Sequence, residues 1–255
     1  MRVALLQLGN IQEGRSTNLQ SLMAAIDRAA SNDPGPDLLV LPATGDVRGM
    51  TAGQNGLFAS IAETIAWKAR EWGVYVAAGL SVLEVETTMF RSFLFDPDGD
   101  IVARTGAATS GKQGAAEDLR SWFSSPVGRF GLVDPQTASV PTSSTDERCE
   151  GGFLAYPLPS LGTPAQRRAV TSSLESLRAG ASDTLGTYWG VAGRAEPSAD
   201  AGKAGDPVTF VRDPSGTVIE NAAPSCETVL YADVDLPPVR GESRIDSQGS
   251  DDHTG

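Results

Sequence analysis

Residues 37–46, DLLVLPATGD, decide the fold prediction for this chain of 255 residues. The four consecutive apolar residues 38–41 are typical of a strand that is covered on both faces of its sheet. Pro42 then ends the run, because proline cannot donate a hydrogen bond to a sheet ladder. The stretch therefore predicts a buried central strand with a sharp exit, which indicates an α/β protein with layers on both sides of a sheet.

Working outward from this strand, apolar periodicity and turn residues predict the other elements. Helices are expected where apolar residues recur at helical spacing, at residues 17–30, 57–72 and 164–181. Short β-prone runs bounded by turn residues predict further strands at residues 2–8, 74–82, 89–95, 101–103, 128–133, 153–156, 187–193, 208–211, 217–219 and 228–234.

One pattern occurs twice. Residues 92–104, SFLFDPDGDIVAR, and residues 208–220, VTFVRDPSGTVIE, each contain a strand, a DP-x-G turn and a second strand. The two copies lie in opposite halves of the chain. This internal repeat predicts two half-units that pack about an approximate two-fold axis.

Composition excludes several classes of function. The formal net charge is −12 and the pI is about 4.5, so the surface repels nucleic acid phosphates and anionic membranes. No run approaches the roughly 20 apolar residues of a membrane helix, and we expect a cytoplasmic protein with no nucleic acid or membrane partner. The length fits one domain, residues 1–242, followed by an acidic disordered tail, residues 243–255.

Seven segments in order resemble the nitrilase, or carbon–nitrogen hydrolase, superfamily from residue 3 to about residue 244. They are VALLQLG, DLLVLP, VYVAAGLSV, SFLFDPDGDIVAR, SPVGRFGLV, VTFVRDPSGTVI and ETVLYADVDLPPVRGESR. The resemblance implies a four-layer αββα sandwich, with two mixed sheets inside and helices outside.

The catalytic residues that the resemblance implies are missing. Members of this superfamily use a Glu after Leu-Pro, a Lys after the DP-x-G turn and a Cys after the Gly-Arg-x-Gly strand. Carried onto this chain, the three positions are Ala43, Ala107 and Pro135. Cleavage of an amide or nitrile needs a nucleophile, a base and a cation, and these residues supply none of them. We therefore expect no catalytic residue at these positions, and a non-catalytic pseudoenzyme that serves as a subunit or a ligand-binding protein.

The alternative is a divergent amidase that uses relocated residues. Lys112, Glu117 and Cys149 are the candidates for that chemistry, and Asp46 and Arg91 are further candidates for the pocket wall. A solvated lysine, a solvent-facing glutamate and an unactivated thiol are the simpler interpretations of the first three. Both functional interpretations stay open at the level of sequence.

No metal or cofactor site is expected. His253 is the sole histidine and lies in the tail, so neither a zinc site nor a Ser-His-Asp site can be assembled. The glycine-rich stretches lack both a dinucleotide-binding pattern and a phosphate-binding lysine motif. Cys226 is interpreted as a packing residue of the last strand.

The resemblance also implies association of subunits through helices. We expect a homodimer or a heteromer with an active relative, with residues 164–181 and 184–189 forming the contact. Their apolar residues, including Trp189, should then be partly exposed in the monomer. A small-molecule ligand is the other partner that this interpretation allows.

Overall fold

The computed structural model describes residues 1–9, 15–43, 55–84, 87–105, 120–133, 151–158, 187–194, 209–223 and 226–237. The helices are α1 (Arg15–Ala30) and α2 (Asn55–Trp72). The strands are β1 (Arg2–Gln7), β2 (Leu38–Val40), β3 (Tyr75–Glu84), β4 (Thr87–Phe95), β5 (Ile101–Arg104), β6 (Arg120–Ser125), β7 (Gly128–Val133), β8 (Phe153–Pro157), β9 (Tyr188–Ala192), β10 (Phe210–Arg212), β11 (Val218–Asn221) and β12 (Thr228–Asp233).

The strands form two six-stranded mixed sheets. Sheet 1 has the order β12-β1-β2-β3-β4-β5, and sheet 2 has the order β11-β10-β9-β8-β7-β6. In each sheet three parallel strands are central, one antiparallel strand lies on one side, and an antiparallel pair lies on the other. The predicted central strand at residues 38–41 is confirmed as β2, fully buried between β1 and β3.

Three apolar clusters define the layers. The first joins α1 and α2 to the outer face of sheet 1, and the second lies between the two sheets. The third covers the outer face of sheet 2 and includes Trp189 and Phe210. Neighbouring residues of β1 alternate between the first two clusters, as the two-residue period of a strand requires.

The internal repeat is confirmed at the level of topology. The two DP-x-G hairpins are β4–β5 in sheet 1 and β10–β11 in sheet 2, and each has a register shift at the residue that precedes the turn aspartate. Asp96 Oδ1 accepts hydrogen bonds from the backbone N–H of Asp98 and Asp100, and Asp213 Oδ1 accepts them from Ser215 and Thr217. The two halves thus use the same turn chemistry.

One strand was missed by the sequence analysis. β6 has the sequence RSWFSS, in which three serines and an arginine surround the β-prone Trp122 and Phe123, so the segment lacks the apolar pattern that predicts a strand. The predicted helix at residues 164–181, the loop that follows β5 and the tail at 243–255 lie outside the described residues. Among the residues that the structure describes, no helix is long and apolar enough to cross a membrane.

Candidate functional site at the carboxyl ends of the parallel strands

The carboxyl ends of the parallel strands in both sheets meet at one end of the sandwich. A parallel bridge pairs Leu8, just after β1, with Arg194, just after β9. The backbone N–H of Ala43, three residues after β2, donates to the carbonyl of Leu158, just after β8, at 3.0 Å. The chain leaves both sheets at this end, and open α/β sheets bind ligands at the same place.

Three strand ends at this site lead toward the positions onto which the sequence resemblance carries the superfamily's Glu, Lys and Cys. The Glu position is Ala43 itself, which follows β2. The Lys position, residue 107, comes two residues after Thr105, and the Cys position, residue 135, comes two residues after Val133. The structure describes Ala43, Thr105 and Val133, whereas residues 107 and 135 lie outside the described residues.

Ala43 occupies a closed position. It is 2% exposed and lies against Gly79 of β3. A methyl group built on Gly79 would lie 2.7 Å from the Cβ of Ala43 and 3.1 Å from the Cβ of Pro157 in the facing sheet. A side chain at residue 79 would therefore collide with Ala43 and crowd Pro157, so glycine at this position lets the chain after β2 lie close against β3.

Ser92 joins the other two strand ends. It pairs with Gly79 across β3 and β4 and is fully buried on the interior face. Its Oγ donates to the carbonyl of Val133, the last residue of β7, at 2.6 Å. Its backbone N–H donates to Thr105 Oγ1 at 2.9 Å, and the backbone N–H of Thr105 donates back to its carbonyl at 2.9 Å.

A buried glutamine lies at the end of β1. Both hydrogens of the Gln7 amide nitrogen are donated to carbonyls, to Ala223 at 2.6 Å and to Cys226 at 2.8 Å. Arg194, 8% exposed, donates from Nη1 to the carbonyl of Gly9 at 3.0 Å. These contacts fix the segment before β12 and the end of β9 against β1, so they hold the rim of the site together.

Two groups with shifted pKa values, Tyr75 and Arg212, lie away from these strand ends. At the opposite end of β3, burial raises the pKa of Tyr75, and a hydrogen bond with Ser125 offsets part of that rise. Burial lowers the pKa of Arg212, with Asp213 acting in the other direction, in the strand next to β9.

The predicted pocket residues are distributed as follows. Arg91 pairs with Leu80, which belongs to the helix-side cluster, so this position of β4 faces the helices and not the space between the sheets. Asp46, Lys112, Glu117 and Cys149 lie outside the described residues. Within the described ranges, no group of three or more His, Cys, Asp or Glu side chains could hold a metal ion.

Two sequence-based interpretations are wrong. Cys226 is an exposed free thiol and not a packing residue, because the turn that precedes β12 presents its side chain outward. Trp189 is fully buried in the outer cluster of sheet 2, because β9 lies between β8 and β10. It therefore cannot be a partly exposed residue of a subunit contact.

Sequence reasoning missed the residues that organise the site, namely Gly79, Ser92, Thr105 and Pro157. A signal was available for Ser92, which opens the first copy of the repeated hairpin pattern. The position of Gly79 could be read from VYVAAGLSV only as a strand glycine, which often marks a close approach of backbone. The contact with Pro157 depends on how the two sheets meet, and no local pattern encodes it.

Comparison with known proteins gives matches in structure and none in sequence. No family model matches the chain, and no curated protein matches it. One similar structure is a mutant of the amidase from Nesterenkonia sp. AN1 that shows Michael addition of acrylamide at the active-site cysteine. Its sequence is 18% identical to this chain and the TM-score is 0.66. The match covers 92% of this chain and 93% of that chain. Another mutant of this amidase, from the nitrilase superfamily, is 18% identical with a TM-score of 0.66, covering 92% of each chain.

A third structure of that amidase, a mutant in complex with butyramide, is 18% identical with a TM-score of 0.63, and covers 92% of this chain and 90% of that chain. This similarity establishes the fold. The expected α/β architecture is confirmed: the chain has the four-layer αββα sandwich of the nitrilase-type amidases, with two mixed sheets of six strands.

Proposed function

We propose that this chain is a catalytically inactive member of the nitrilase superfamily that acts as a subunit or as a ligand-binding protein. The observation that carries the proposal is the state of residue 43. The position that would hold the general base is an alanine that is 2% exposed and lies close to Gly79. A carboxylate at this buried position would need a partner for its charge.

The hydroxyl groups of the described site do not replace the missing nucleophile. Ser92 Oγ already donates its proton to the Val133 carbonyl, and Thr105 Oγ1 accepts from the Ser92 backbone. Activation of a hydroxyl requires a base within hydrogen-bond reach, and the contact that Ser92 Oγ donates is to a backbone carbonyl, which cannot take the proton. These two residues are therefore structural.

The experiment is an assay of ammonia release from butyramide and acrylamide. We expect no turnover above that of a buffer blank, because the base, cation and nucleophile positions are Ala43, Ala107 and Pro135. Turnover that disappears in Cys149→Ala, Lys112→Ala or Glu117→Gln, and persists in Cys226→Ala, would overturn the proposal in favour of relocated amidase chemistry. Cys226 is the matched control because its thiol is exposed at the turn before β12.

Association is the second part of the proposal. We propose that the helix expected at 164–181 and the adjoining segment 184–189, apart from the buried Thr187 and Trp189, form the contact in a homodimer or in a heteromer with an active relative. A stable contact of this kind buries on the order of 1,600 Å² in total. Leu185→Asp should raise the dimer dissociation constant at least tenfold in light scattering while the melting temperature stays unchanged, whereas Trp189→Asp should unfold the domain because Trp189 is fully buried. A monomer at every workable concentration, with no relative bound in a pull-down, would contradict the association.

A further inference from the structure

We infer that Ser92 is a positioning residue, which sets the separation between the ends of β5 and β7 across the gap between the two sheets. The inference rests on the proposed function, because these two strand ends lead into the walls of the proposed ligand pocket. Ser92 is one residue with three hydrogen bonds, two along the sheet to Thr105 and one across the gap to Val133.

The bond to Val133 crosses between the two sheets, whereas the two bonds to Thr105 extend the β4–β5 ladder by one residue. Thr105 follows β5, the edge strand of sheet 1, and Val133 ends β7, next to the edge strand of sheet 2. Van der Waals contacts tolerate sliding, whereas a hydrogen bond of 2.6 Å to a carbonyl fixes distance and direction. The serine thus couples the two strand ends, so that a displacement of one is transmitted to the other.

The other half of the chain carries a hydroxyl at the equivalent position. Ser92 lies four residues before the turn aspartate Asp96, and Thr209 lies four residues before the turn aspartate Asp213. The two positions therefore correspond, and Thr209 is also fully buried. Thr209 Oγ1 accepts from the backbone N–H of Gly193, just after β9, at 3.0 Å, and its carbonyl accepts from Ala222, just after β11, at 2.9 Å. Each half therefore has a buried hydroxyl at this position and a backbone bond that continues the ladder into the edge strand. The hydroxyl contacts differ, because Ser92 Oγ donates to the other sheet, whereas Thr209 Oγ1 accepts from the end of β9 in its own sheet.

Amide hydrogen exchange on the full chain tests the inference without a ligand. In Ser92→Ala, we expect exchange of the Thr105 and Val133 amides to rise about 3- to 10-fold, the effect of losing one net hydrogen bond, while amides of β1 and β2 are unchanged. Ser92→Thr should retain the wild-type rates, since threonine keeps a hydroxyl that can donate to the Val133 carbonyl. Ser125→Ala is the matched control, because Ser125 is also buried and donates to a β7 carbonyl, that of Gly128 at 2.8 Å, but at the opposite end.

Faster exchange at both strand ends in Ser92→Ala alone supports the positioning role. A uniform rise over all strands, or no change, or the same local rise in Ser125→Ala would overturn it. If Ser92→Ala fails to fold, the variant Thr105→Val replaces it, because it removes the acceptor of the Ser92 backbone amide. Faster amide exchange at both Val133 and residue 105 then supports the coupling. Faster exchange at residue 105 alone overturns it. Each outcome is independent of amide turnover, so failure here is distinguishable from failure of the proposed function.

Discussion

At the scale of single residues, Ala43 and Gly79 show how small side chains allow the chain after β2 to lie close against β3. The Cβ of Ala43 lies where a side chain on Gly79 would have to go, and Pro157 closes the same space from the facing sheet. Protein interiors are packed as densely as organic crystals, so added atoms must displace neighbours. A larger side chain at residue 43 must therefore find room at a position that is only 2% exposed.

The substitution Ala43→Glu should lower the free energy of unfolding by about 2 kcal/mol or more, because overpacking and burial of a carboxyl group act together. Urea denaturation monitored by tryptophan fluorescence measures the change. Ala24→Glu is the control, since Ala24 is on the exposed face of α1 and should give a change within about 0.5 kcal/mol. If Ala43→Glu is as stable as wild type, the site has room for a general base and the packing argument is wrong.

At the scale of elements, α1 and α2 are joined by a charge cluster around a buried lysine. Lys68 Nζ lies 2.6 Å from Asp27 Oδ1 of α1 and 2.7 Å from Glu71 Oε2 of its own helix. The Trp67 ring covers the ammonium, with its centroid 4.5 Å from Nζ, and Trp72 Nε1 donates to Asp27 at 2.8 Å. Two partly exposed tryptophans thereby shield an ion pair, which gives them a role within this chain.

The cluster predicts a pH-dependent contribution to stability. Burial lowers the pKa of Lys68, but hydrogen bonds and charges from Asp27 and Glu71 outweigh it, so the pKa is raised overall. Partial burial raises the pKa of Asp27, but the bonds from Lys68 and Trp72 outweigh it, so that pKa is lowered. The lysine contribution is thus lost as pH rises above about 10.5, and the aspartate contribution is lost as pH falls below about 4.

Lys68→Met should therefore destabilise the protein by roughly 1 kcal/mol near pH 7, a value limited by solvent screening of the partly exposed carboxylates. The difference in melting temperature between wild type and variant should shrink toward both pH extremes. Glu63→Gln, an exposed position on α2, should show no such profile. A constant difference from pH 3 to pH 11 would mean that the lysine stem contributes by packing and that its charge does not.

Element prediction succeeded where a local pattern determines the structure. The strong apolar runs correctly predicted β2 and β8. The DP-x-G turns correctly predicted both hairpins, because the turn aspartate accepts a hydrogen bond from a backbone amide two residues later in the turn. β6 was missed because an edge strand needs few apolar residues. Cys226 and Trp189 were misjudged because exposure depends on which strands lie on either side, which residue spacing alone does not state.

At the scale of the whole molecule, the two halves have the same strand order only if the end of the chain is treated as joined to its start. β6 pairs antiparallel with β7 at the start of one half, and β12, although last in the chain, pairs antiparallel with β1 at the start of the other. The chain start and the end of β12 are adjacent, since the Met1 amino group donates to the Val234 carbonyl at 3.0 Å. Each half therefore consists of an antiparallel strand, three parallel strands and a hairpin, and the chain begins inside one half and not at its boundary.

This arrangement predicts that a circular permutant which begins at residue 120 will fold. Residues 120–237 followed by a short Gly/Ser linker and residues 1–119 would run β6 to β12 and then β1 to β5, so each half would be continuous in sequence while every strand pairing is kept. Circular dichroism should match that of a control chain truncated at residue 237, with a single cooperative melting transition. A permutant opened between Ala77 and Ala78, in the middle of β3, should not fold, because the cut removes a central strand of sheet 1 from its ladder. If the permutant that starts at residue 120 fails to fold while the truncated control folds, the two halves are not independent units of assembly. The two halves would then share a strand arrangement without folding as separate units.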